Sequence, residues 1–184
     1  MKHLTLVVKY NLMNGGEGLG LISTKEGVSM SGQHKIGVGD QAPDFLLKDQ
    51  HGQEVRLSDL KGKRVLLSWH PLAWTKVCSE QMRSVDKHYD EFERLGTMPF
   101  GLSVDTVPSK DAWAKELGLA RLRLLSDFWP HGAAADALDI FRKHNGFSQR
   151  ANIILDASQK IVFEKIYDIP QLPDIEEVLA FLRK

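Results

Sequence analysis

From Arg64 the chain runs Arg-Val-Leu-Leu-Ser-Trp, a short apolar stretch bounded by Gly62-Lys63 on one side and Pro71 on the other. Its length and bounds predict a strand buried on both faces, as in a parallel sheet. Past Pro71 the period lengthens. Cys78, Met82, Val85, Tyr89, Phe92 and Leu95 recur at steps of three or four, while Lys76, Glu80, Arg83, Lys87, Asp90, Glu91 and Arg94 fall between them. That spacing predicts an amphipathic helix to Leu95 with Cys78 at the head of its buried stripe.

The same patterning extends in both directions. Phe45-Leu46-Leu47-Lys48-Asp49 and Gln53-Glu54-Val55-Arg56-Leu57 flank the turn residues Gln50-His51-Gly52 and predict a hairpin. Pro99 to Val104 predicts a second buried strand. Pro108 and Ser109 open a helix carrying Trp113 and Leu117 on one face, and Gly118 stops it. Leu122 to Leu125 is a third strand, and Ala134, Ala137, Leu138 and Phe141 mark a short helix. Ala151 to Asp156 and Ile161 to Ile166 form two strands across the turn 157–160, and Pro173 begins a last helix with Ile175, Val178, Leu179 and Leu182 on one side. Alternating strands and helices that close with a hairpin predict an α/β fold with a mixed central sheet covered by helices on both faces. Ligands of such sheets bind at the carboxyl ends of central strands, where residues 71–78 fall.

Residues 1–35 break the pattern. Leu4 to Tyr10 reads as a short strand, and the glycine-rich run 14–20 does not hold regular structure cheaply. Two readings stand open: an N-terminal extension or flexible arm, or a natural start at Met30. The opening lacks the apolar length and cleavage site of a signal peptide. Residues 36–184 are the expected domain, of a size that fits one core.

Composition removes several functions. Lys plus Arg equals Asp plus Glu at 24 each, which gives nucleic acid or an anionic membrane no electrostatic footing. No transmembrane stretch, Walker A lysine, histidine pair or His/Cys cluster is present, so neither a nucleotide cofactor nor a metal is expected. One cysteine closes no internal disulfide, and a free thiol suits a reducing, cytoplasmic compartment.

On spacing alone, Cys78 reads equally as a small buried hydrophobe or as a nucleophile. Its position in a helix's first turn favours the thiolate, because unpaired backbone N–H groups and the positive end of the helix dipole face it. Thr75, three residues earlier, brings a hydroxyl beside the sulfur, and Pro71 limits how far the helix reaches back. A thioredoxin-type C-x-x-C would place its first cysteine at 75, where this chain has threonine, so dithiol exchange within the motif is excluded.

The pattern P-x-x-x-T-x-x-C, spelled by Pro71, Thr75 and Cys78, resembles the active-site signature of the peroxiredoxins, the alkyl hydroperoxide reductases and thiol-specific antioxidant proteins. The resemblance continues through Leu124 to Pro130 and through Arg150 within Phe147 to Asp156, and spans roughly residues 36–184. It implies a thioredoxin-like fold and a thiol-dependent peroxidase. The substrate would be hydrogen peroxide or an organic hydroperoxide, attacked by Cys78 to give a sulfenic acid. It nominates Thr75, the backbone N–H groups of Val77 and Cys78, and Arg150 as donors to the developing charge, Gln81 as the residue that orients the arginine, and Trp129 as a neighbour of the site. Without it, Arg150 reads as a solvated charge at a strand edge and Gln81 as a polar helix residue. His70 receives no role. Lacking the second cysteine of the commoner pattern, the chain is expected to use an external thiol: thioredoxin, glutaredoxin or a low-molecular-weight thiol. The family implies a homodimer or higher homo-oligomer. A redox sensor or relay, and a holdase-like oligomer, are the rival uses of the same cysteine.

Overall fold

The computed structural model describes residues 35–184, and the expected arm 1–35, apart from Lys35, lies outside the described residues. Seven strands form one mixed sheet in the order β2-β1-β5-β4-β3-β8-β9. They are β1 (Leu46–Lys48), β2 (Glu54–Arg56), β3 (Arg64–Trp69), β4 (Thr97–Ser103), β5 (Arg123–Ser126), β8 (Arg150–Leu155) and β9 (Ile161–Tyr167). The central pairs β3·β4 and β4·β5 are parallel, whereas β3·β8, β8·β9, β1·β2 and β1·β5 are antiparallel. A two-stranded ribbon, β6 (Phe141–Arg142) with β7 (Phe147–Ser148), stands apart from it. The helices are α1 (Lys76–Lys87), α2 (Tyr89–Arg94), α3 (Val107–Leu117), α4 (Ala133–Ala137) and α5 (Ile175–Leu182).

Strand alternation divides the core. Val65, Leu67 and Trp69 of β3, with Phe100, Leu102, Ala151, Ile153 and Leu155, point to the face covered by α4 and the 3-10 turn Leu57–Leu60. Leu66 and Ile154 point to the other face, against Met82 and Val85 of α1, Phe92 of α2, Trp113 of α3 and Val178, Leu179 and Leu182 of α5. A Cβ on Gly101 of β4 would collide with Met82 and Leu124, so α1 lies close to the sheet only because that position is glycine.

Two helix boundaries differ from the sequence pattern. The helix predicted to Leu95 breaks at His88, whose N–H is shared between the Ser84 and Val85 carbonyls in 3-10 fashion. The acids Asp90 and Glu91 then sit in the first turn of α2. The helix predicted through Phe141 ends at Ala137. Asp139 takes a left-handed conformation (φ 56°), the Ile140 N–H bonds the Ala135 carbonyl and the Asp139 N–H bonds that of Asp136. That is a Schellman closure, and it sends Phe141 into β6. Gly118 ends α3 by the same device, as its sequence position predicts, and Thr106 caps the other end.

Candidate active site

β3 ends at Trp69, and α1 begins at Lys76 after a loop that covers the carboxyl edge of the sheet. Thr75 is the N-cap, extended in conformation, and its carbonyl accepts the Ser79 N–H as the first helical bond. Lys76, Val77 and Cys78 therefore occupy the first turn, whose N–H groups have no partner within the helix. The loop is held from below: the Ala73 N–H donates to Asp105 Oδ2 at 2.9 Å, and the indole N–H of Trp74 donates to Ser109 Oγ at 3.0 Å. Trp74 adopts φ 66°, an unusual conformation for a bulky residue that those two anchors maintain.

Arg150 reaches the sulfur because of strand register. β8 runs antiparallel to β3 with Ala151 opposite Trp69, so the first residue of β8 lies just beyond the end of β3. Period-two alternation places Arg150 on the same face as Asn152, the face that α1 covers. Its Nη2 donates to Cys78 Sγ at 3.4 Å and to the Ile169 carbonyl at 2.8 Å, its Nε to the same carbonyl at 3.0 Å, and its Nη1 to Gln81 Oε1 at 2.6 Å. The guanidinium is thus fixed on three sides. Gln81 is fixed in turn, since its Nε2 donates to Ser68 Oγ at 2.9 Å and to the Trp69 carbonyl at 3.2 Å, and Ser68 Oγ donates to Asn152 Oδ1 at 2.8 Å. Polar groups this deeply buried are tolerated because each finds a partner.

Cys78 is fully buried and lines a cavity of about 280 Å³ with Pro71, Leu72, Thr75, Lys76, Val77, Phe147, Arg150 and Ile169. Its walls are mostly apolar side chains, and the fixed cation and the helix start are the polar groups that they present to a small guest. Thr75 Oγ1 donates to the Leu72 carbonyl at 3.1 Å. Its hydrogen is thereby occupied, and its lone pairs remain as acceptors; the sequence pointed to a donor.

Six of the seven residues expected at the site, namely Pro71, Thr75, Val77, Cys78, Gln81 and Arg150, are brought to this cavity or to the bonds beneath it. Trp129 is not. It is 80 % exposed and does not line the cavity, because the β5–α4 loop is pinned around Asp127, which accepts the Ala134 and Ala135 N–H groups. Sequence reasoning missed Ser68, Asn152 and the Ile169 carbonyl. Ser68 interrupts an apolar strand and Asn152 precedes another apolar pair, a signal available in the pattern, whereas a backbone acceptor leaves none.

His70, the residue after β3, is fully buried against the Trp113 ring, with centroids 5.1 Å apart, and neither ring nitrogen has a hydrogen bond. Burial, then the cations Lys110 and Arg150, hold its pKa well below 6.5 despite a contrary pull from the Leu72 backbone, so the ring is neutral at neutral pH. Among the described residues no group of three or more His, Cys, Asp or Glu is placed to hold a metal ion, and no helix is long and apolar enough to cross a membrane.

Comparison with known proteins places this geometry. A family profile described as the AhpC/TSA family matches residues 38–164. The chain is similar to alkyl hydroperoxide reductase E of Mycobacterium bovis, at 38% identity over 132 residues, covering 71% of this chain and 86% of that protein. It is also similar to peroxiredoxin-2 of Mus musculus, at 30% identity over 155 residues, 79% of this chain and 77% of the relative. Among solved structures, the reduced 2-Cys peroxiredoxin of Plasmodium vivax superposes with a TM-score of 0.75 at 25% identity, covering 80% of this chain and 81% of the other. AhpC of Enterococcus faecalis gives 0.74 at 22% identity, over 79% and 90%, a likeness of fold. With the profile matching residues 38–164 and both relatives covering more than two thirds of the chain, the chain belongs to the AhpC/TSA family: it is a peroxiredoxin, a thiol-dependent peroxidase with one cysteine.

Proposed function

We propose that Cys78 reduces hydrogen peroxide and small organic hydroperoxides through a sulfenic acid that an external thiol resolves. The carrying observation is the Arg150 guanidinium bonded to Cys78 Sγ at 3.4 Å at the floor of the cavity. The thiolate attacks the terminal peroxide oxygen, the S–O bond forms as the O–O bond breaks, and the departing alkoxide or hydroxide takes a proton from solvent. Charge builds on the leaving oxygen. Arg150 makes four hydrogen bonds in the resting site, and its remaining N–H is the donor available to that oxygen, with the first-turn N–H groups beside it. Thr75 Oγ1, its hydrogen committed to Leu72, accepts the hydroxyl hydrogen of the peroxide and orients the terminal oxygen toward the sulfur.

Regeneration consumes two external thiols: one forms a mixed disulfide with Cys78 and releases water, and a second displaces it. Only one cysteine is present, so the resolving sulfur comes from outside the chain, from thioredoxin, glutaredoxin or a small thiol, in a reducing compartment such as the cytoplasm. A homodimer or larger homo-oligomer is the assembly in which this site is read to work. The test is rapid mixing of reduced protein with hydrogen peroxide and an organic hydroperoxide, scored as loss of free thiol, in wild type, Cys78→Ser and Arg150→Ala. Cys78→Ser loses the reaction. A wild-type rate no greater than that of free cysteine overturns the peroxidase reading; fast oxidation that no cellular thiol reverses favours a redox relay.

A further inference from the structure

The peroxidase site accounts for Arg150 but leaves a second buried cation unexplained. Lys110, on the inner face of α3, is fully buried, and its Nζ donates to Ser103 Oγ at 2.6 Å. Ser103 Oγ donates onward to Asp105 Oδ2 at 2.6 Å, and that same oxygen accepts the Ala73 N–H from the loop over Cys78. A chain of three hydrogen bonds therefore joins a lysine in the interior to the backbone between Pro71 and Thr75. A core helix position with an ordinary packing role carries an apolar residue, and a lysine is almost never fully buried unless its charge is paired. The charged and titratable groups that act on Lys110 are Asp105 beyond β4, Asp127 beyond β5, Cys78 on α1 and His70 at the end of β3, and Arg150 on β8 shares His70 with it.

We propose that Lys110 is a positioning residue of the peroxidase site, a second buried cation that holds the 71–75 loop over the first turn of α1 through Ser103 and Asp105 and, while protonated, stabilises the ionised sulfur. The proposal rests on the reading of Cys78 as the peroxidatic group. It follows from the hydrogen-bond chain to the Ala73 N–H and from the surrounding charges: Asp105, Asp127 and an ionised Cys78 each favour the lysine's charged form, and the attraction between opposite charges is mutual.

Burial nevertheless brings the Lys110 pKa down to about 8, which makes the effect titratable. The cation is present below that value and lost as pH rises through it. The decisive quantity is the ratio of wild-type to Lys110→Met rate constants for oxidation of Cys78 by hydrogen peroxide between pH 6.5 and 9.5, with folding of both checked by thermal melting. The ratio is about tenfold at the acid end, falls as the cation is lost, and levels off above one at the alkaline end, because the neutral amine still donates to Ser103. Asp105→Asn keeps an oxygen for the Ala73 N–H while removing the anion that holds the lysine's proton. It moves the fall in rate to lower pH, and it decides the matter if Lys110→Met does not fold. A ratio that is constant across the range, or an Asp105→Asn profile superimposable on wild type, overturns the proposal. Alkylation of Cys78 by iodoacetamide over the same range reads the same coupling without peroxide. Loss of peroxide turnover in wild type with an intact alkylation ratio therefore counts against the peroxidase reading alone, and a flat alkylation ratio counts against Lys110.

Discussion

The two faces of the central strands β3 and β8 differ in kind. On one, Val65, Leu67, Trp69, Ala151, Ile153 and Leu155 belong to one buried apolar cluster. On the other, Leu66 and Ile154 are flanked by Ser68, Asn152, Gln81 and Arg150, which bond to one another and end at Cys78. Apolar burial stabilises without regard to orientation, at about 25 cal/mol per Å². A bonded polar chain adds little net stability, and truncating it leaves buried partners unsatisfied, so its contribution is to hold one side chain in one place. The same two strands thus supply mass to one side of the sheet and aim to the other.

That division is open to direct attack. The largest effect belongs to Arg150→Ala, which slows oxidation of Cys78 by about 10²–10³-fold, as removal of one fixed donor to a developing oxyanion does; a change below threefold would show that aim matters little here. Leu67→Ala, next to Ser68 on β3 but on the opposite face, costs about 3 kcal/mol in a denaturant titration while leaving the per-molecule oxidation rate of the folded protein within a few-fold of wild type. The smallest effect sharpens the contrast at the strand's end. His70 is neutral when folded and binds a proton below about pH 6.5 when unfolded, so stability falls with falling pH by up to about 1.4 kcal/mol per unit below that value. His70→Phe removes this dependence. The difference in unfolding free energy between variant and wild type grows by about 1 kcal/mol from pH 7.5 to pH 5.5, and an unchanged difference would mean that the imidazole ionises inside the fold.

The sheet was legible in the sequence because its signals are local: β3 is a bounded apolar run, α3 is bracketed by Pro108-Ser109 and Gly118, and β8 and β9 are joined by a short turn. The errors came where tertiary geometry overrode a periodic pattern. Nothing in the spacing from Cys78 to Leu95 reports the break at His88, and the Ala134–Phe141 stripe hides the left-handed turn at Asp139, since aspartate is a less obvious helix stop than glycine. At the site, the motif residues were identifiable, but their supports were not. Ile169 acts through its carbonyl, and nothing in the sequence marks Lys110 as the charge that α3 turns inward. Trp129 stands away from the cavity for a related reason, because proximity in a motif does not fix which way a loop anchored by Asp127 presents its side chains.

Trp74 gives the molecule an internal optical reporter. Its indole is 55 % exposed, stands one residue before the N-cap of α1 and is tethered to Ser109, whereas Trp69 and Trp113 are buried in the two cores and Trp129 lies on another loop. Any shift of the loop as sulfur gains oxygen alters the water around that indole. Oxidation of Cys78 is therefore expected to change intrinsic fluorescence without a dye, and Trp74→Phe to silence most of the change while the thiol is still consumed.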